Sequence, residues 1–244
     1  MDIYQEDLAF IQATGFGDFA RAVAPEIVRL LQACETPVRR VIEAGCGAGP
    51  LSAALVNAGF EVTGVDVSAE LLTLARMACP EARFIHGSLY DQELPPCEAV
   101  LAVGEPLTYH QGDAAENRVY DFFQRSADAL PSGGMLIFDL IELGQQSLAG
   151  RFWKAGEDWA VLSETQEDPS ERTLIRTIET FRKVGDFYRR SHEVHHVRLF
   201  DREEVCQWLR EAGFTVETSQ QYGTYKLVSR QRAFFCTRRS KSPL

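Results

Sequence analysis

The stretch VIEAGCGAGP, Val41–Pro50, carries an apolar run into a loop with glycine at positions 45, 47 and 49. Val38–Ala44 has the length and character of a buried parallel strand. Pro50–Ala58 follows as a helix, with proline at a first helical position and Gly59 just past the end. A glycine loop between a strand and a helix lets backbone N–H groups approach a ligand closely. The dinucleotide fingerprint G-x-G-x-x-G needs its third glycine at position 50, where proline stands. Glu43, on the strand end, adds negative charge beside the loop. It would repel a pyrophosphate and attract an ammonium or sulfonium, so the loop suits a cationic or zwitterionic ligand.

Working outward, the strand–helix alternation repeats. Glu61–Asp66 reads as a strand, with Ser68 as N-cap of a helix over Ala69–Ala78. Ala82–His86 and Glu98–Val103 read as further strands, Asp113–Leu130 as a long helix, and Met135–Ile141 as another strand. Upstream, Gln5–Thr14 and Phe19–Ala33 have helical spacing, broken at Gly15-Phe16-Gly17. After Gly150 the pattern changes. Trp159–Glu167, Thr173–Val184 and Phe187–Phe200 are rich in Thr, Val, Ile and aromatics, and Gly185-Asp186 is a two-residue hairpin turn. The core resumes with a helix over Arg202–Ala212 and strands over Phe214–Thr218 and Arg232–Thr237. The expectation is an α/β protein with a mostly parallel seven-stranded sheet, helices on both faces, and an inserted antiparallel sheet. It divides as a helical lid (1–37), a ligand-binding core (38–150), the insertion (151–200) and the completion of the core (201–244).

The 244 residues are enough for a full core, and 45% hydrophobic with 25% charged residues is an ordinary globular balance. The acidic start MDIYQEDLAF lacks a signal-peptide pattern and no run reaches 18 apolar residues, which points to the cytoplasm without a membrane span. Twenty-five basic against 35 acidic residues give a formal charge of −10, which argues against a nucleic-acid partner. Six cysteines fall without any C-x-x-C pair, so neither a zinc site nor a disulfide framework is expected.

Asp66 stands at the end of the second strand, where a carboxylate can accept both hydroxyls of a ribose. The turn at 87–89 follows the third strand and Gly104 the fourth, so all these features lie beyond the carboxyl ends of the strands. E-x-G-C-G-x-G at 43–49, VTGVDVS at 62–68, GSL at 87–89, AVLAVGE at 99–105 and LPSGGMLIFDL at 130–140 occur in that order. Together they resemble the class I S-adenosylmethionine-dependent methyltransferases, whose fold is Rossmann-like. YQEDLAFIQATGFGDFA (4–20) and GEDWAVL (156–162) are similar to a bacterial small-molecule subgroup of these enzymes. The resemblance implies S-adenosylmethionine as cofactor and S-adenosylhomocysteine as product. It places Gly45, Cys46 and Gly47 beside the methionine moiety, Glu43 near its ammonium and Gly104 near its backbone. Asp66 would hold the ribose, Val67 pack on the adenine, and Ser88 and Leu89 meet its edge. Tyr4 and Phe16 would cover the cofactor.

The methyl acceptor is less constrained, because the sulfonium already carries the hard chemistry. Tyr109 and His110 follow the cleft segment of the fourth strand, and His110 has the chemistry of a general base near neutral pH. If the inserted sheet roofs the cleft, Tyr188 and His192 are candidates for contact with the acceptor. The histidines at 192, 195 and 196 do not suit a metal, since a strand separates i and i+4 by roughly 13 Å and points neighbours to opposite faces. The expected activity is methyl transfer to nitrogen or oxygen of a small molecule. RNA or protein as acceptor, and a nicotinamide-dependent oxidoreductase, are the alternatives; a homodimer through the inserted sheet is left open.

Overall fold

The computed structural model describes residues 3–109 and 115–240. In chain order it contains α1 (Glu6–Gly15), α2 (Asp18–Gln32), β1 (Arg40–Ala44), α3 (Pro50–Asn57), β2 (Glu61–Asp66), α4 (Ala69–Ala78) and β3 (Arg83–His86). Then come β4 (Ala99–Ala102), a 3-10 turn (Pro106–Thr108), α5 (Ala115–Ala129) and β5 (Met135–Ile141). Strands β6 (Gly150–Ala155), β7 (Trp159–Asp168), β8 (Thr173–Val184) and β9 (Phe187–Arg198) precede α6 (Arg202–Glu211). The chain closes with β10 (Phe214–Ser219), β11 (Gln221–Tyr222), β12 (Tyr225–Lys226) and β13 (Gln231–Arg238).

Seven strands form the central sheet in the order β3-β2-β1-β4-β5-β13-β10. The pairs among β1 to β5 are parallel, and β13 runs antiparallel to both β5 and β10. Strand order reverses between β1 and β4, the kind of switch point where open α/β sheets bind ligands. All seven residues of β5 are buried. Leu136, Phe138 and Leu140 pack into one core with Phe123 and Phe234, whereas Met135 and Ile137 pack into the other with Ile27 and Leu55. A strand buried on both faces needs this near-continuous apolar run. The Phe138 and Phe234 rings stack at 4.7 Å.

The local signals in the sequence find their elements. Ser68 caps α4 by accepting the Leu71 N–H at 3.1 Å. Asp201 caps α6 by accepting the N–H groups of Glu203 and Glu204. Gly185 and Asp186 make the β8–β9 turn, with Val184 paired to Phe187 across it. Two elements go beyond the sequence reading. The inserted sheet has four strands in the order β6-β7-β8-β9, where three were expected. β6, GRFWKA, exposes five of its six residues and so lacks the apolar alternation that marks a strand. The short β11–β12 hairpin also carries too few residues for a periodic signal.

The inserted sheet and the N-terminal helix are fastened together. Leu8 and Ile11 of α1 pack on Trp159, Val161 and Ile178 of the insertion. Asp7, 3% exposed, receives Arg189 Nε at 2.7 Å and the Ser191 hydroxyl at 2.6 Å. Burial works upward on the Asp7 carboxyl, but the bonds from Arg189 and Ser191 hold it below its ordinary value. No helix among the described residues is long and apolar enough to cross a membrane.

Candidate active site

β1 carries Glu43 and the glycine loop to the carboxyl edge of the sheet. The loop glycines all have positive φ: 76° at Gly45, 54° at Gly47 and 80° at Gly49. Their surroundings differ. A Cβ on Gly45 would stand 2.3 Å from the Cβ of Pro106, whereas one on Gly47 would meet nothing within 4 Å. Gly45 therefore permits close approach of the segment after β4, and Gly47 leaves an open flank. The N–H groups of Gly45 and Cys46 donate to the Val65 carbonyl at 2.7 and 3.1 Å, tying the loop to β2. Gly47 N–H donates to Asp66 Oδ2 at 2.8 Å and Ser68 N–H to Oδ1 at 2.9 Å. The two carboxylate oxygens thus accept one of these bonds each, out of the roughly four lone-pair sites that a carboxylate offers.

Glu43 is 4% exposed, and its side-chain partner is the Ser52 hydroxyl from α3. Burial pushes its carboxyl up to about 8, against the Ser52 bond and with help from the Asp66 charge. Burial also raises Asp66, against the N–H groups of Ser68, Gly47 and Val67. Two buried acids whose carboxyls are both held toward the protonated form make a site where a positive group would favour their ionisation.

A cavity of about 780 Å³ opens onto these residues. Glu43, Gly45, Cys46 and Gly47 line it from the first loop, and Asp66 and Val67 from the end of β2. Ser88 and Leu89 line it after β3, Gly104 after β4, and Tyr4 and Phe16 from the N-terminal segment. The structure brings to one cavity every residue that the family resemblance implied for the cofactor. Tyr109 also lines the cavity, with its hydroxyl 3.1 Å from that of Tyr4 and 3.1 Å from Nη1 of Arg176 on β8.

The two residues expected to contact the acceptor do not line the cavity. Tyr188 stands near the β8–β9 turn, 58% exposed, away from the cavity. The face of the sheet explains His192: in register it pairs with Glu179, its Nδ1–H donates to that carboxylate at 2.7 Å, and its side chain is 52% exposed. The histidine buried at this sheet is instead His195, three positions on and on the opposite face. His110 lies outside the described residues. The basic residues around the hairpin are paired within the chain: Arg182 and Arg189 with Glu6 and Asp7, Lys183 with Asp158, Arg190 with Glu179.

A family profile described as a methyltransferase domain matches residues 16–219, most of the chain. The chain belongs to this methyltransferase family. The putative methyltransferase YqeM of Bacillus subtilis is 26% identical over 216 residues, covering 83% of this chain and 85% of that protein. A solved S-adenosylmethionine-dependent methyltransferase from Clostridium acetobutylicum superposes with a TM-score of 0.79 at 18% identity, over 98% of this chain and 97% of the other. The sugar N-methyltransferase KedS8 from Streptoalloteichus superposes with a TM-score of 0.75 at 19% identity, over 96% and 92%. The fold of this methyltransferase is thus the Rossmann-like one of S-adenosylmethionine-dependent enzymes, with an added antiparallel sheet. A nicotinamide-dependent oxidoreductase falls with that membership.

The methyltransferase site also depends on residues that the sequence pattern did not single out. Asp139, wholly buried on β5, accepts the N–H groups of Gly104 at 3.0 Å and Glu105 at 2.8 Å. It also accepts the Tyr222 hydroxyl at 2.9 Å and Gln231 Nε2 at 3.0 Å. These four donors fix a turn in which Gly104 and Glu105 both have positive φ. Burial still outweighs them and pushes Asp139 up to about 6. A signal was present: a lone acid inside the apolar run MLIFDLI must find partners when the strand is buried.

Proposed function

We propose that this methyltransferase binds S-adenosylmethionine in the described cavity and methylates nitrogen or oxygen of a small molecule. The observation that carries the reading is the pairing of an open Gly47 flank with the Glu43–Asp66 acidic wall, inside one cavity walled by the N-terminal segment. The residues fit the group. Asp66 keeps lone pairs for ribose hydroxyls, the Gly47 flank leaves room for a close ligand, and Glu43 complements an ammonium. Val67, Ser88 and Leu89 would border the adenine, Gly45, Cys46 and Gly104 the methionine end, and Tyr4 and Phe16 would cover them.

When bound, S-adenosylmethionine supplies a methyl group on a sulfonium, already activated for transfer. The chain then has to orient an acceptor and exclude water. Holding the two reactants in line contributes roughly 7–11 kcal/mol to such a reaction. Tyr109 is the candidate for orienting the acceptor, because its hydroxyl is fixed by Tyr4 and Arg176 beside the cavity. Sugar amines are one acceptor class worth testing, since KedS8 shares the fold. The intramolecular pairing of the hairpin arginines supports a small molecule over a nucleic acid. The cytoplasm is the proposed location.

Incubation with methyl-labelled S-adenosylmethionine and a metabolite extract, followed by mass spectrometry, tests the reading. Label should appear in a small metabolite and vanish with Asp66→Ala. Label in RNA or protein alone would contradict the small-molecule acceptor.

A further inference from the structure

Tyr4 is a non-glycine residue with φ of 55°, a left-handed conformation that persists only where surrounding contacts impose it. Those contacts come from two sides. Its carbonyl accepts the Ser68 hydroxyl at 2.7 Å, and Ser68 is the residue whose N–H holds Asp66. Its N–H donates to Glu193 Oε2 at 2.7 Å, and the Gln5 N–H donates to Glu193 Oε1 at 2.9 Å. Glu193 lies on β9 of the inserted sheet, 6% exposed, and His195 Nε2 approaches its Oε2 at 2.9 Å. The His195 ring packs on Tyr4 at 5.1 Å and on Tyr109 at 5.7 Å.

A continuous chain of bonds therefore runs from Gly47 and Asp66 in the cavity, through Ser68 and Tyr4, to Glu193 and His195 in the insertion. Glu193 and His195 themselves do not line the cavity. We propose that Glu193 is a positioning residue for the cofactor: it latches Tyr4 over the cavity, so that the inserted sheet governs cofactor exchange. This rests on the cofactor reading above. The Asp7 clamp supports it, since Arg189 and Ser191 of the same strand hold the helix that follows Tyr4. Both fastenings join the N-terminal segment to β9, and the Glu193 one holds Tyr4, which lines the cavity.

The latch makes a kinetic prediction that a damaged fold does not share. Glu193→Gln keeps the size of the side chain but turns an amide N–H group toward donors it must accept. Because Glu193 does not touch the cavity, its loss changes how often Tyr4 swings away rather than what a ligand contacts. Association and dissociation of S-adenosylhomocysteine should both accelerate, dissociation by about tenfold, the loss expected for one bond to a charged group. Surface plasmon resonance or stopped-flow fluorescence reads both rates. An unchanged dissociation rate, or faster dissociation with slower association, overturns the proposal.

Hydrogen exchange on the unaltered protein gives a second test that does not depend on how the variant folds. S-adenosylhomocysteine should slow exchange of the Tyr4 and Gln5 amides; equal rates with and without it overturn the latch. Failure of the unaltered protein to bind S-adenosylhomocysteine at all would instead contradict the cofactor reading.

Discussion

At neutral pH Glu43 holds a proton, because burial raises its carboxyl to about 8 and no positive group among the described residues offsets it. A ligand ammonium placed there would reverse that balance and release the proton. Calorimetric titration with S-adenosylhomocysteine at pH 7, in buffers of different ionisation enthalpy, should show release of about one proton. Glu43→Gln should bind more weakly, by about tenfold, and without proton release. The same group makes a stability prediction. Its folded-state pKa lies above the unfolded value, so its stabilising proton is fully present below the ordinary carboxylate range and lost as pH rises through about 8. Asp139, raised to about 6, acts in the same direction. The melting temperature of the ligand-free protein should fall between pH 5 and 8, and fall less in Glu43→Gln. The loop glycines separate fold from binding. Gly45→Ala drives a Cβ into Pro106 and should cost a few kcal/mol of stability. Gly47→Ala meets open space, so its cost is confined to the φ strain of about 1 kcal/mol, while cofactor binding weakens. A denaturant titration and a binding isotherm on each variant distinguish the two. The placing of the loop, Glu43 and Asp66 at the carboxyl ends of their strands was legible in the sequence, because it follows from the strand–helix alternation. Asp139 was not, since its partners at Gly104 and Gln231 lie 35 and 92 residues away.

Among the elements, β5 shows how a strand can serve core and site together. Its apolar residues join two cores, and its one acid reaches along the sheet to hold the turn after β4. Asp139→Asn replaces an acceptor of four bonds by a group that can accept only with its carbonyl oxygen. It should lower stability by about 2–3 kcal/mol in denaturant titration and weaken S-adenosylhomocysteine binding through the Gly104 turn. The insertion illustrates the limits of periodicity. β7, β8 and β9 were legible from their β-branched and aromatic runs and from the Gly185-Asp186 turn. β6 was not, because as an exposed edge strand its residues carry no burial pattern. Which face of β9 turns toward the N-terminal segment was also beyond the sequence. A change of one residue moves a side chain to the other face, and that is why His192 faces solvent while Glu193 and His195 are buried.

For the whole molecule, the central sheet places the glycine loop, Asp66 and Gly104 at one edge, the N-terminal segment lines the cavity there, and the insertion is fastened to that segment. The strand–helix alternation made the sheet legible from sequence, because parallel strands and their covering helices each impose a period. The joining of the first residues to β9 was not legible, since Tyr4 and Glu193 stand 189 residues apart. Ligand at 100 times its Kd should stabilise the protein by roughly 2.7 kcal/mol, so S-adenosylhomocysteine should raise the melting temperature by several degrees. The central claim is that the cavity is an S-adenosylmethionine site held by Asp66. Isothermal titration of the unaltered protein and of Asp66→Ala with S-adenosylhomocysteine and with NAD tests it most directly. The account predicts saturable binding of S-adenosylhomocysteine by the unaltered protein alone and none of NAD by either. Binding of NAD, or equal binding of S-adenosylhomocysteine by both proteins, would contradict it.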